Sequence, residues 1–101
     1  MVIEFVAFQG CPHAPILWRS LAEAVQELGI TDAPIAIDLE HLCQVNDPRS
    51  GFGSPTILVD GLDLFGMESP SFAEDPACRL YRPTIPSTAD VIDKLRERIS
   101  K

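Results

Sequence analysis

The sequence predicts an α/β fold in which a mixed four-stranded sheet is flanked by helices. The first 39 residues follow a strand–helix–strand pattern, which is typical of a βαβ unit with parallel strands. Asp60-Gly61 separates two short apolar runs, and this dipeptide favours an antiparallel hairpin. A last amphipathic stretch after residue 87 predicts a helix. The predicted order is therefore β-α-β-α-β-β-α.

The first half of the chain supplies two strands and two helices. Residues 2–8 are apolar except for Glu4, which is typical of a strand buried on both faces. A helix is predicted over 14–28, with Gly29 as its stop and apolar residues at helical spacing. Residues 34–39 favour a second strand. Residues 39–46 favour a short helix whose apolar side comprises Leu39, Leu42, Cys43 and Val45.

The second half supplies the hairpin, a long loop and the last helix. Strands are predicted at 56–59 and 62–65. Residues 66–86 hold four of the nine prolines and lack periodicity, so we expect a long loop that is functional or disordered. Ser87 and Asp90 form a capping-box pattern before the final helix. Its predicted buried stripe is Val91, Ile92, Leu95 and Ile99. We expect one domain over residues 1–101.

Charge and cysteine content exclude several classes of function. Eight basic and fifteen acidic residues give a net charge of −7, which argues against nucleic acid as the partner. The charge disfavours an anionic membrane surface, and no apolar run is long enough to span a bilayer. Three cysteines cannot form a closed disulfide framework, and they fit a reducing compartment. We therefore expect a cytoplasmic protein without a signal peptide.

Cys11 is the leading candidate for chemistry. It lies between the end of the first strand and the start of the first helix, after Gly10 and before Pro12. The positive end of a helix favours a thiolate, which is the nucleophilic and metal-binding form of cysteine. A charged His13 would favour the thiolate further. The alternative interpretation is that Cys11 is a small apolar filler.

Ser54-Pro55-Thr56 precedes the third strand. A proline is allowed at the first position of a strand, so Pro55 has a plain architectural interpretation. The alternative is a cis proline, which is rare and usually has a purpose.

The element order, together with Cys11-Pro12 after strand one and Ser54-Pro55-Thr56 before strand three, resembles the thioredoxin-like fold. Cys11-Pro12-His13-Ala14 corresponds to the Cys-x-x-Cys of thioredoxins and glutaredoxins, and Pro55 corresponds to their cis proline. The segments Gly10–Pro12, Phe52–Ile57, Val59–Gly61 and Cys78–Arg82 also resemble a small group of bacterial thioredoxin-like proteins, some labelled as alkylmercury-lyase-related. The resemblance implies that Ser54, Pro55 and Thr56 lie beside Cys11 and contact substrate.

The sequence departs from the redox pattern at Ala14, which replaces the second cysteine. Exchange by the thioredoxin route needs a resolving thiol. Cys11 would therefore act either as a monothiol or with a thiol from elsewhere in the chain. Cys78 is the candidate, because strand four returns to the edge at which strand three begins. The alternative interpretation of Cys78 is a buried loop anchor. Cys43, on the apolar side of the second helix, is expected to be a core residue.

Three classes of function remain open. The first is thiol–disulfide exchange at Cys11 with a small thiol such as glutathione or with a protein disulfide, and it requires no cofactor. Met67 after Gly66 departs from the Gly-Gly pair by which many glutaredoxins hold glutathione, which weakens the glutathione version. The second is soft-metal binding of mercury or copper(I) by Cys11 and Cys78. The third is a non-catalytic interaction module.

Other side chains have two interpretations each. Arg79 and Arg82 would bind a substrate carboxylate if the loop folds over Cys11, or would be solvated surface charges. Trp18 and Phe52 would line a groove near Cys11, or would pack in the core. His41 is expected on a polar helix face.

Overall fold

The computed structural model describes residues 1–68 and 70–100. Its strands are β1 (Ile3–Ala7), β2 (Ile35–Asp38), β3 (Thr56–Val59) and β4 (Leu62–Asp63). Its α-helices are α1 (Ala14–Glu27), α2 (Leu39–Gln44) and α3 (Thr88–Ile99), and a 3₁₀ helix spans Pro48–Phe52.

The strands form one mixed sheet in the order β2-β1-β3-β4. β1 pairs with β2 in parallel, with Phe5 opposite Ala36. β1 pairs with β3 antiparallel, with Phe5 opposite Ile57, and β3 pairs with β4 antiparallel. The predicted α/β class, with a mixed four-stranded sheet and flanking helices, is confirmed.

Hydrophobic cores lie on both faces of the sheet. Ile3 and Phe5 of β1 pack with α1 and α3 on one face, because alternate residues of a strand point to the same side. Val6 points to the other face and packs with α2 and with Phe52. β1 is therefore buried on both sides, as its apolar run predicts, and its carboxyl end leads directly to Cys11.

The fourth strand is shorter than predicted. The prediction covered residues 62–65, but the ladder ends at Asp63. The chain turns there, because the Gly66 N–H donates to the Asp63 carbonyl at 3.2 Å and Gly66 takes a φ of 87°. The Leu64 N–H still donates to the Ile57 carbonyl of β3 at 2.9 Å, and its side chain packs in the core formed with α1 and α3.

Two predicted core positions are exposed. Val45 follows the end of α2 and has no helical turn to cover it, so its assignment to the apolar side is wrong. Ile99 is the last residue of α3 and is also exposed. The rest of the α3 prediction holds. Ser87 and Asp90 form the capping box, and Val91 and Leu95 are buried.

Residues 70–86 follow a defined path across the sheet end at which β3 begins. The Ala73 N–H donates to Ser50 Oγ at 2.9 Å, and Gly51 leaves no room for a side chain beneath Pro70 and Ser71. The segment then pairs with Ser54 before it reaches α3. The sequence predicts a functional or disordered loop over residues 66–86. The described residues 70–86 are irregular, and hydrogen bonds to Ser50 and Ser54 hold them in place. No helix in the described part of the chain has the length and apolar character needed to cross a membrane.

Candidate functional site

Cys11 lies in the turn that connects β1 to α1. Its N–H donates to the Phe8 carbonyl at 3.2 Å, and its carbonyl accepts from the Ala14 N–H at 3.3 Å. His13 is the N-cap residue, and its side chain does not cap the helix. Cys11 is therefore two residues before the N-cap of a helix of 14 residues, and its exposed fraction is 3%. The turn places the thiol residue at the positive end of α1, as predicted.

Ser54 connects the Cys11 turn to the start of β3. Its Oγ accepts a hydrogen bond from the Phe8 N–H at 3.3 Å, three residues before Cys11. The Ser54–Pro55 peptide bond is cis. Ser54, Pro55 and Thr56 are all buried beside β1. Of the two interpretations of Pro55, the structure has the cis proline.

Cys78 pairs with Ser54 through the main chain. The Ser54 N–H donates to the Ala77 carbonyl at 2.9 Å, and the Arg79 N–H donates to the Ser54 carbonyl at 2.8 Å. These bonds form an isolated parallel bridge in which Cys78 is the partner of Ser54. Cys78 is exposed, so its interpretation as a buried anchor is wrong. The long segment thus brings Cys78 back to the edge where strand three begins.

Arg79 is neither a solvated charge nor free to hold a substrate carboxylate. Its guanidinium makes two hydrogen bonds to the Asp63 carboxylate, at 2.6 and 2.9 Å, and the two side chains are 9% and 0% exposed. Burial alone would lower the pKa of Arg79, but the hydrogen bonds that it donates to Asp63, together with the charge of Asp63 and the contact with Tyr81, outweigh burial and raise the pKa. The sequence predicts that Arg79 is either a ligand for a substrate carboxylate or a solvated charge, and both interpretations are wrong. Its guanidinium is bound instead to the carboxylate of Asp63, sixteen residues earlier in the chain.

Tyr81 fastens the same segment to the cis proline. Its hydroxyl donates to the Pro55 carbonyl at 2.7 Å, and the Arg79 guanidinium lies 4.6 Å from its ring centroid. Burial raises the pKa of Tyr81 to about 12, although the Arg79 charge opposes the shift. Arg79 and Tyr81, one and three residues after Cys78, therefore hold it in register with Ser54.

A groove of about 530 Å³ opens on the other side of Cys11, between α1 and the outer strand β2. Phe5, Ala7 and Ala36 line it from the sheet, and Trp18 lines it from α1. Trp18 contacts Phe5 edge to face at 5.0 Å and remains 39% exposed. The groove interpretation therefore holds for Trp18, which lines a groove at Cys11. The core interpretation holds for Phe52, which is buried with α2.

The remaining candidates lie apart from this arrangement. Cys43 is buried on α2, and burial, with Asp75 and Glu40 nearby, raises its pKa. The prediction that it is core is consistent with this position. His41 and Arg82 are exposed. The three cysteines are free thiols, and the described residues contain no cluster of three or more His, Cys, Asp or Glu side chains suited to a metal ion.

Sequence reasoning missed the buried partner of Arg79 and the residues of β2 that line the groove. Asp63 gave no signal as a buried acid, because it follows a hairpin turn where charged residues are ordinarily solvated. Ala36 and Asp38 line the groove because they lie opposite Phe5 and Ala7 in the pairing of β1 with β2, and the sequence does not indicate this register.

Comparison with family models, with curated proteins and with solved structures finds no match.

Proposed function

We propose that this chain is a thioredoxin-like thiol–disulfide exchange protein in which Cys11 is the attacking thiol and Cys78 the resolving thiol. The observation that carries the proposal is the position of Ser54, which is bonded to the Cys11 turn through its side chain and to the Cys78 segment through its main chain. The two segments that carry Cys11 and Cys78 are thus both bonded to Ser54. The thioredoxin-like assignment is supported by the strand order and by a cis proline next to this cysteine.

The chemistry is a two-electron exchange between sulfurs. The Cys11 thiolate attacks one sulfur of a disulfide, forms a mixed disulfide and releases the other sulfur as a thiolate, which takes a proton from water. The Cys78 thiolate then attacks Cys11 Sγ, which forms a Cys11–Cys78 disulfide and releases the second thiol. Two equivalents of a small thiol such as glutathione reduce that disulfide and become oxidised themselves. A protein disulfide or a small disulfide serves as the oxidised substrate, and a reducing cytoplasm supplies the thiol.

The test is to map which thiols react. Under a mild oxidant, mass mapping is expected to show a Cys11–Cys78 disulfide while Cys43 remains a free thiol, because α2 buries it. In Cys78→Ser, a small uncharged disulfide such as bis(hydroxyethyl) disulfide should leave a stable mixed disulfide on Cys11. No Cys11–Cys78 link in the wild type would remove Cys78 from the mechanism. No adduct on Cys11 in the variant would overturn the proposed exchange.

A further inference from the structure

The groove between α1 and β2 is the open approach to Cys11. Cys11 is 3% exposed, so a disulfide must reach it through the surface that its own turn lines. On the other side of Ser54, the main-chain groups that a peptide would pair with are already bonded to Ala77 and Arg79. The groove instead has free volume of about 530 Å³, and Gly10 and Cys11 lie at its end. A volume of this order is typical of sites for small molecules.

The lining of the groove determines which group fits it. Phe5, Ala7 and Ala36 form an apolar floor, and the indole of Trp18 forms one wall. An aromatic substituent would pack edge to face with Phe5 and Trp18, as those two rings already do with each other at 5.0 Å. The small side chains of Ala7 and Ala36 leave the space that such a ring needs.

The charge of the groove lining disfavours an anionic substituent on the disulfide. Among the described residues that line the groove, Asp38 is the one charged residue. Its carboxylate accepts from the Glu40 N–H at 3.1 Å and remains exposed. Arg79 is bound to Asp63, away from the groove. In a chain with a net charge of −7, the described lining of the groove thus holds one carboxylate and no lysine or arginine, so the carboxylates of glutathione would be repelled there.

We infer that the groove selects small disulfides whose substituent is apolar, aromatic and uncharged, and that it delivers their sulfur to Cys11. This inference rests on the proposed exchange at Cys11 and names its substrate class. The reaction is the exchange already given: the Cys11–sulfur bond forms, the substrate S–S bond breaks, and the released thiolate takes a proton from water.

The test compares two aromatic reagents that differ in charge. Dipyridyl disulfide is neutral, and bis(nitrobenzoate) disulfide is dianionic. Their rates at Cys11 are measured in Cys78→Ser by mass mapping and are divided by their rates with free cysteine. The neutral reagent should retain an advantage of about tenfold, because the two carboxylates of the other reagent would be repelled by the Asp38 carboxylate at the groove. Normalised rates within twofold of each other would overturn the inference.

Filling the groove provides the matched control. Ala36→Phe places a ring in the groove from an exposed position of β2 and should abolish the advantage of the neutral reagent. Gln26→Phe, at an exposed position of α1 eight residues beyond Trp18, should leave it unchanged. Equal effects of the two variants would overturn the inference.

A binding measurement separates this inference from the exchange itself. In Cys11→Ser, benzylpyridine, which is neutral and unreactive, should shift the fluorescence of Trp18, the one tryptophan of the chain. If Cys11 reacts with neither reagent while benzylpyridine binds, the proposed exchange fails and the apolar site stands. If Cys11 reacts with both reagents alike and benzylpyridine produces no shift, the exchange stands and the selectivity of the groove is refuted.

Discussion

At the scale of single residues, Ser54 and its neighbours decide what the molecule can do. The Ser54 hydroxyl accepts from the Phe8 N–H, directly after β1, and its main chain pairs with the segment that carries Cys78. Tyr81 bonds to the next carbonyl along the chain, that of Pro55. The two thiols proposed to react are therefore placed by hydrogen bonds to two consecutive residues.

The titration of Tyr81 reports directly on that placement. Tyr81 is the one tyrosine of the chain, so alkaline ultraviolet absorbance follows it alone. The expected pKa is about 12 in the folded protein, because burial disfavours the phenolate, against about 10 in the unfolded chain. Since the folded pKa is the higher one, the contribution of Tyr81 to stability is complete below pH ~10 and is lost as the pH rises through the folded value.

The matched variant is Tyr81→Phe, which removes the hydrogen bond to Pro55. It should lower the free energy of unfolding by about 1 kcal/mol at neutral pH. At higher pH the free energies of unfolding of the variant and the wild type should become more alike, because the wild type loses the contribution of Tyr81 as its hydroxyl ionises. A Tyr81 midpoint near 10 while circular dichroism remains native would contradict the burial of this hydroxyl.

The Arg79–Asp63 pair gives a second prediction at this scale. Asp63→Asn leaves a nearly buried guanidinium without its counter-charge and should destabilise the protein by about 3–5 kcal/mol in urea unfolding. Glu97→Gln is the control, since Glu97 pairs with Lys94 at an exposed site, and its effect should stay within about 0.5 kcal/mol. A loss below about 1 kcal/mol for Asp63→Asn would show that Arg79 is solvated after all.

At the scale of elements, residues 70–86 act as a strap across the start of β3. They touch the 3₁₀ helix at Ser50, pair with Ser54 and end at the capping box of α3. Gly53 permits the turn into the pairing at Ser54, because its φ of 82° and ψ of −178° lie in a region that is essentially limited to glycine. A side chain at Gly53 would also press on the Ala77 carbonyl, at 3.2 Å from its Cβ.

Gly53→Ala should therefore loosen the pairing of Ala77 and Arg79 with Ser54. The expected result is faster hydrogen exchange at the Arg79 amide and a loss of about 1–3 kcal/mol in stability. Gly61→Ala is the control, because Gly61 also has a positive φ, 84°, but has open space where a Cβ would lie. The same acceleration at Arg79 in both variants would mean that contact with Ala77 does not hold the segment.

At the scale of the whole molecule, the sheet brings together residues that are distant in the chain. The parallel pairing of β1 with β2 sets Ala36 opposite Phe5, which completes the floor of the groove next to Cys11. The antiparallel pairing of β1 with β3 brings Ser54 to the end of β1. The candidate site therefore draws on both neighbours of one central strand.

Much of this arrangement could be predicted from sequence, because local signals determine it. The apolar run of β1, the Asp60-Gly61 turn and the Ser87 cap each act within a few residues, and each element was found. The partners of Arg79 and Tyr81 could not be predicted in this way. Their hydrogen bonds to Asp63 and Pro55 span 16 and 26 residues, and no pattern within residues 66–86 encodes them.

The most direct test of the account is the turnover of disulfides by single-cysteine variants, with consumption of a small thiol as the readout and insulin, glutathione disulfide and a neutral aromatic disulfide as substrates. We predict that the wild type accelerates at least one of these reductions, that Cys11→Ser reduces the rate to that of the small thiol alone, and that Cys43→Ser retains it, because Cys43 lies on α2 away from Ser54. A Cys11→Ser variant as active as the wild type, or a wild type no faster than the small thiol alone on all three substrates, would contradict the assignment of Cys11 as the exchanging thiol.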